Sequence, residues 1–510
     1  MKISIIPAVS AALFAASAVA AAEVSSVADL YAAFISPADG EEIVLAPGTY
    51  TLASTLSVSA QGVTLRSSGG KSQTVIEGDS TFRLLEVSGE NFTVRGITFK
   101  NGGVEKEGSD DKRGGAIKVG GAASVASVKI VDCDFVECTA KLGGAIFAHD
   151  DVHEDYGPRS AYGLVSGCTF TRCASEWTDM WNAGGAIYGS LWVEDSVFDA
   201  CDVSANASRG QTSIAATSHM TVTNCVFKGQ TLRSNVRGLV GTTFNINNED
   251  CAYGAVRLLG CTIAGNELAS SSAGLFFGRV VIDRCVVSNT TTTINTEAET
   301  GGNLPSLYQS PDRSASRITS SLFVDNQCPF KMGSVPAVVN CTFVRNVGGL
   351  AYHHEDSAMP VITNCVFWGN IEKTKWPWNR VYRGVPGFYW SKDTSFPDLI
   401  QLANVVVENG AANSDVAAVL ATDASGASTR LTELAAQKGP GFKDAAAGDW
   451  TLKRSSVMID AGVKADWMNS ASDLAGHKRC LKRGLVSDDA LPDIGCYEFH
   501  AIAGFKISLR

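Results

Sequence analysis

A three-residue unit ending in an apolar residue, most often phenylalanine, recurs ten times and constrains the fold more than any other feature. Its copies are Ile97-Thr98-Phe99, Cys133-Asp134-Phe135, Cys168-Thr169-Phe170, Ser196-Val197-Phe198, Cys225-Val226-Phe227, Cys261-Thr262-Ile263, Cys285-Val286-Val287, Ser321-Leu322-Phe323, Cys341-Thr342-Phe343 and Cys365-Val366-Phe367. The third positions are separated by 36, 35, 28, 29, 36, 24, 36, 20 and 24 residues. The shortest of these spacings fit one coil of a parallel β-helix, and the longer ones fit coils carrying inserted loops.

Local pattern agrees. Stretches before the units, such as Val128-Lys129-Ile130-Val131 and Val280-Val281-Ile282, set β-branched residues at period two. A second motif, Gly-Gly-Ala-Ile, falls at residues 114–117, 143–146 and 184–187. Paired glycines suit a tight corner needing positive φ, followed by an inward-facing strand. Three residues after the unit stands asparagine at Asn266, Asn326, Asn346 and Asn370, or cysteine at Cys138, Cys173 and Cys201. Stacked asparagines can ladder their amides between coils. A chain of 510 residues is too long for one ordinary compact core, and the repeat resolves that length into one elongated domain. The reading is all-β: a right-handed parallel β-helix over residues 23–465, with a small C-terminal cap at 466–510.

The first 22 residues read as a Sec-type signal peptide. Lys2 precedes an uncharged stretch that ends in Ala18-Val19-Ala20 or Ala20-Ala21-Ala22 before Glu23. An uncleaved anchor is the alternative, since about twenty apolar residues can span a bilayer. No second run of that length follows, so no transmembrane segment is expected in the mature chain. The net charge of −10 and the lack of a lysine- or arginine-rich run exclude a nucleic-acid binder. An exported monomer, extracellular or on a bacterial cell surface, is expected.

The Gly-Gly-Ala-Ile and Phe-x-x-Asn motifs over residues 96–370 resemble the repeats of the chlamydial polymorphic outer-membrane proteins, which are surface-displayed adhesins on a β-helical passenger. The ends resemble the bacterial extracellular β-helix proteins called choice-of-anchor Q, within the pectin-lyase-like superfamily. At the start the resemblance lies in Glu42-Ile43-Val44-Leu45-Ala46-Pro47-Gly48-Thr49-Tyr50. At the close it lies in Gly439-Pro440-Gly441-Phe442, Gly448-Asp449-Trp450-Thr451-Leu452 and Ile459-Asp460-Ala461-Gly462. Asp473-Leu474-Ala475-Gly476 with Arg479, then Pro492-Asp493-Ile494-Gly495-Cys496-Tyr497-Glu498, complete it in order. The resemblance implies the pectin-lyase-like fold and surface display, without a single activity.

The cysteines divide into two groups. Cys133/Cys168, Cys225/Cys261/Cys285 and Cys341/Cys365 stack at one repeating position, about 4.8 Å apart. They are either an inward stack of small apolar groups or partial disulfides. Cys480 and Cys496 lie outside that stack, and a bridge between them is expected, closing a loop of about 17 residues and contributing roughly 3 kcal/mol. No cysteine or histidine spacing resembles a zinc site.

Three stretches could carry chemistry. Insertions at 106–113, with Asp110, Asp111 and Arg113, and at 176–181, with Trp177, Asp179 and Trp181, precede paired glycines two coils apart. They stand about 10 Å from each other over the short loop 139–142. Two walls over a short floor give a shallow cleft of carboxylates, a guanidinium and indoles, a set that holds sugars. The alternative is a solvated loop pair whose tryptophans cap the core. The acidic loop with Asp150, Asp151, Glu154 and Asp155, between His149 and Arg159, is a candidate calcium site or an exposed charged loop. Its later counterpart at 353–356 is at least about 34 Å away, so the two cannot act together. A third stretch, 373–390, mixes Trp376, Trp378 and other rings with basic residues. It is either a sugar-stacking surface or a loop folded over the flank.

No Ser-His-Asp elbow, phosphate loop or glycosidase acid pair appears. A polysaccharide lyase would need a positioned basic residue, for which Arg113 and Arg159 are the candidates near the acidic loops. The function expected is non-catalytic binding to a polysaccharide or cell-surface glycan, with no required cofactor. The lyase is the alternative and a structural surface-layer role the third.

Overall fold

The computed structural model describes residues 23–104, 111–120, 127–148, 163–176, 183–203, 210–217, 219–233, 236, 238–242, 256–269, 274–277, 280–293, 306–309, 317–327, 330–332, 337–347, 350–352, 361–371, 382–385, 388–391, 401–408, 439–482, 485–486 and 490–500. Short strands recur in the same order along the chain and pair in parallel with the equivalent strand one coil away. The first sheet has 13 strands, from Glu42–Leu45 to Gln401–Ala403. The second also has 13, from Gly48–Thr51 to Val406–Val407, and contains the recurring units. The third has 9, from Leu56–Val58 to Ser306–Gln309. This is a right-handed parallel β-helix, the handedness that parallel crossovers take. The helix Val27–Ile35, capped at its start by Ser26, buries Leu30 and Phe34 in the same core as the first coils.

The unit repeats because each copy fills the same inward slot. Phe99, Phe135, Phe170, Phe198 and Phe227 stack face to face with centroids 4.7 to 5.4 Å apart. Ile263 and Val287 interrupt the column before Phe323, Phe343 and Phe367 resume it at 4.7 and 4.9 Å. The asparagine column behaves as its pattern predicts. Asn326 Nδ2 donates to Asn346 Oδ1 at 2.9 Å, and Asn346 Nδ2 to Asn370 Oδ1 at 3.1 Å. The same amides donate to backbone carbonyls of the preceding coil, Val287 O and Phe323 O. Where cysteine takes this position the thiol keeps the acceptor: Cys138, Cys173 and Cys201 donate to Phe99 O, Phe135 O and Phe170 O at 3.4 to 3.7 Å. A buried donor is thus satisfied in either case.

Corners follow a rule that composition only partly reveals. Gly114, Gly143 and Gly184 take φ of +61° to +68°, and a Cβ there would meet the carbonyl oxygens of Ile117, Ile146 and Ile187 at 2.0 to 2.3 Å. Only glycine fits. The corners flanking the recurring unit, however, are mostly not glycine. Asp132, Glu137, Arg172, Asn224, Arg284 and Arg345 all adopt φ near +50° to +55°. Parallel pairing on both sides of the corner holds these residues in a region that few non-glycine residues visit.

All twelve described cysteines are buried free thiols. The expected bridge between Cys480 and Cys496 is not formed. Cys480 packs with Met468 and Ala490, whereas Cys496 belongs to a separate cluster with Met458 and Ile494. Arg479, the residue just before Cys480, donates from Nη2 to Cys496 O at 3.0 Å, so a guanidinium takes the linking place given to sulfur. Described residues from Phe442 to Cys496 pack on the outer face of the second sheet, so this closure begins before residue 466. Phe442, Trp450, Leu452, Met458 and Ile494 cover Leu322, Val324, Val344, Val366 and Val406 there. No described helix is long and apolar enough to cross a membrane.

Candidate functional site

The third sheet carries a polar-to-aromatic stripe on its outer side. Glu86, Lys118, Phe147 and Tyr188 are register partners in four successive coils, on the side opposite to the core; Phe147 is itself buried there, beneath Arg113. Glu86 and Lys118 pair at 2.8 Å, and Lys118 also bonds Asp111. Buried Arg83 reaches Glu86 and Asp111, each at 3.2 Å, and donates to Arg113 O and Gly114 O. A buried guanidinium needs such partners, and here it fixes the backbone that presents Arg113. Arg113 itself is exposed, with its guanidinium 5.1 Å from the Phe147 centroid. Phe147 stacks on Tyr188 at 5.4 Å, nearly coplanar. Burial pushes the Asp111 carboxyl up, but the bond from Lys118 and the charges of Arg83 and Lys118 outweigh it and hold it below the usual carboxylate range. Asp111 therefore stays ionised at neutral pH.

Of the residues expected to form the cleft, Asp111 and Arg113 meet here. Isolated parallel bridges join Arg113 to Leu142 and Leu142 to Ala183, so the loops that carry 113, 139–142 and 183 do follow one another at one corner. Asp110, Trp177, Asp179, Trp181, Trp376, Trp378, Asp150, Asp151, Glu154, Asp155 and Arg159 lie outside the described residues. Arg83, Glu86, Lys118, Phe147 and Tyr188 belong to the face and escape motif reading. Their signal is the position directly after the inward isoleucine of Gly-Gly-Ala-Ile, which holds Lys118, Phe147 and Tyr188 in turn.

The closing segment gathers a second set of polar groups. Arg479 and Glu498, both fully buried, pair at 2.9 Å. Asp493 accepts from Asp460 N and Phe499 N, and Asp473 accepts from His477 N and Glu498 N. Burial, reinforced by the neighbouring Glu498, pushes the Asp493 carboxyl up to about 8. A cleft of about 810 Å³ opens beside this network, lined by Lys453, Arg454, Asp473, His477, Tyr497 and His500 among others. The residues that carry the closing resemblance are therefore the buried bonds of the closure itself.

No family model matches the chain, and no curated protein matches it. Solved structures do. The catalytic unit of a GH87 α-1,3-glucanase from Streptomyces thermodiastaticus strain HF3-3 is 14% identical over 76% of this chain and 69% of that one, with a TM-score of 0.41. Pectin methylesterase PemA from Erwinia chrysanthemi is 13% identical over 52% and 76%, with a TM-score of 0.28. The alginate lyase AlyF-OU02 in complex with G6 is 11% identical over 75% and 93%, with a TM-score of 0.31. At these scores the likeness says nothing of substrate or chemistry, and the fold rests on the strand pairing described above.

Proposed function

We propose that this chain is an exported, surface-associated or secreted β-helix protein of the choice-of-anchor Q type that binds a glycan without cleaving it. Arg113 carries the reading: an exposed guanidinium, fixed from below by Arg83 and stacked over Phe147, stands at the corner of a stripe of charged and aromatic side chains. An exposed guanidinium recognises sugar hydroxyls and carboxylates through hydrogen bonds, and the buried Phe147 ring beneath it holds it in place. In this reading the tryptophans at 177 and 181 are stacking residues for the sugar and Asp150, Asp151, Glu154 and Asp155 are oxygen donors for calcium, all of them read from sequence and outside the described residues. Export rests on residues 1–22.

The carboxylates of this corner argue against a glycosidase acid there, and the lyase is the alternative that the test separates. Glu86 and Asp111 are both engaged by cations, and an ionised, doubly paired Asp111 is no general acid at neutral pH. The test is a panel of neutral and acidic polysaccharides, scored for retention of the mature protein and for new absorbance near 235 nm. The expected result is retention on one class of polymer with flat absorbance. Rising absorbance would establish the lyase instead, and retention on none of the panel would remove the glycan reading.

A further inference from the structure

Three side chains of the closing segment converge without any part in glycan binding. Asp473 is fully buried, His477 half exposed and His500 partly buried. One potential ligand atom from each lies within 4.8 Å of the other two. The imidazoles lie with centroids 3.8 Å apart and planes tilted by 45°, and His477 Nδ1 stands 3.5 Å from Asp473 Oδ2. His500 Nε2 is shielded from solvent and has no hydrogen-bond partner. A buried ring nitrogen left without a partner is costly unless something else binds there. The cleft lined by Lys453, Arg454 and Tyr497 opens onto the same residues and supplies the way in.

We propose that Asp473, His477 and His500 form a binding site for a divalent transition-metal ion, with Zn²⁺ as the chemical type. Two imidazole nitrogens and one carboxylate oxygen are the donor set that such ions take, with a further position left for water from the cleft. Calcium and magnesium require more oxygen ligands than the site offers. Metal–ligand distances of about 2.0–2.2 Å require the three atoms to draw closer than they now lie, and the half-exposed His477 ring is the one free to move. Asp473 is held by its bonds from His477 N and Glu498 N, and each of its oxygens keeps a second lone pair. The ion would join the turn at 473–477 to residue 500. That link spans nearly the same stretch as the sulfur bridge expected from sequence. Because Asp473 and His477 are four residues apart and His500 lies far beyond them, no compact spacing announces the set.

The experiment uses untagged, EDTA-dialysed mature protein titrated with ZnCl₂ by calorimetry, and with CoCl₂ by visible absorption. We expect about one equivalent of each ion, with Co²⁺ bands of nitrogen and oxygen ligation. His477→Ala and His500→Ala should each weaken uptake at least tenfold. His477 is half exposed, so His477→Ala should keep the metal-free melting temperature and separates lost ligation from lost folding. Uptake of less than half an equivalent, or equal uptake by wild type and His477→Ala, would overturn the site.

Discussion

At the scale of single residues, the inward columns explain how a chain that we propose is exported can carry so many cysteines. Oxidising compartments favour disulfides, but parallel stacked residues direct their Cβ atoms the same way, which is poor disulfide geometry. Burial pushes several of these thiols up, Cys201 and Cys496 to about 12. All twelve described cysteines are buried, and that inaccessibility is what should leave them unmodified by iodoacetamide at pH 8 in the native protein and modified after denaturation. Non-reducing peptide mapping should find no Cys480–Cys496 bridge. Native labelling of Cys225 or Cys261, or recovery of that bridge, would contradict the account. The columns themselves were legible, because phenylalanine, cysteine and asparagine recur at fixed offsets. The left-handed corners at Arg172, Arg284 and Arg345 were not, since nothing in an arginine announces positive φ; the surrounding pairing imposes it.

At the scale of elements, the closing segment shows what a residue pattern conveys and what it withholds. The ordered motifs from Gly439 to Glu498 were legible, but the sequence reading divides them at residue 466 and gives the first of them to the β-helix. Their placement along the flank depended on a weaker signal. The outward positions of the later units are apolar, as in Leu322-Phe323-Val324, whereas Asp134-Phe135-Val136 presents a charge. Loss of alternation means that both faces are covered, and described residues from Phe442 to Cys496 are the cover. The cover is fastened by Arg479, so Arg479→Met leaves Glu498 buried beside Asp493 without its cation. A loss of about 3–5 kcal/mol is expected from breaking a buried pair in this way. It should appear as earlier unfolding of the closure and early proteolysis within residues 439–500. A loss below about 1 kcal/mol would mean that apolar packing alone holds the segment.

At the scale of the whole molecule, the long sheets act as a ruler that sets side chains about 4.8 Å apart, and inserted loops decide which part of the ruler is useful. The sequence reading puts the loops at 106–113 and 176–181 on one corner; most of both loops lies outside the described residues, and the bridges join only Arg113, Leu142 and Ala183 at their edges. Pattern reading could not show that Arg83, far back in the chain, reaches over to fix the Arg113 backbone. Nor could it show that Lys118 sits between two carboxylates. Both contacts join residues 7 to 32 positions apart, and they exist only once the coils stack.

The central claim is that this corner is a glycan-binding face. Arg113→Ala tests it most directly, because the residue is exposed and its neighbours hold one another without its side chain. On the polymer that best retains the wild-type protein, the variant should bind at least tenfold more weakly, with an unchanged melting temperature. Equal affinity would contradict the claim and move the binding surface away from the third sheet.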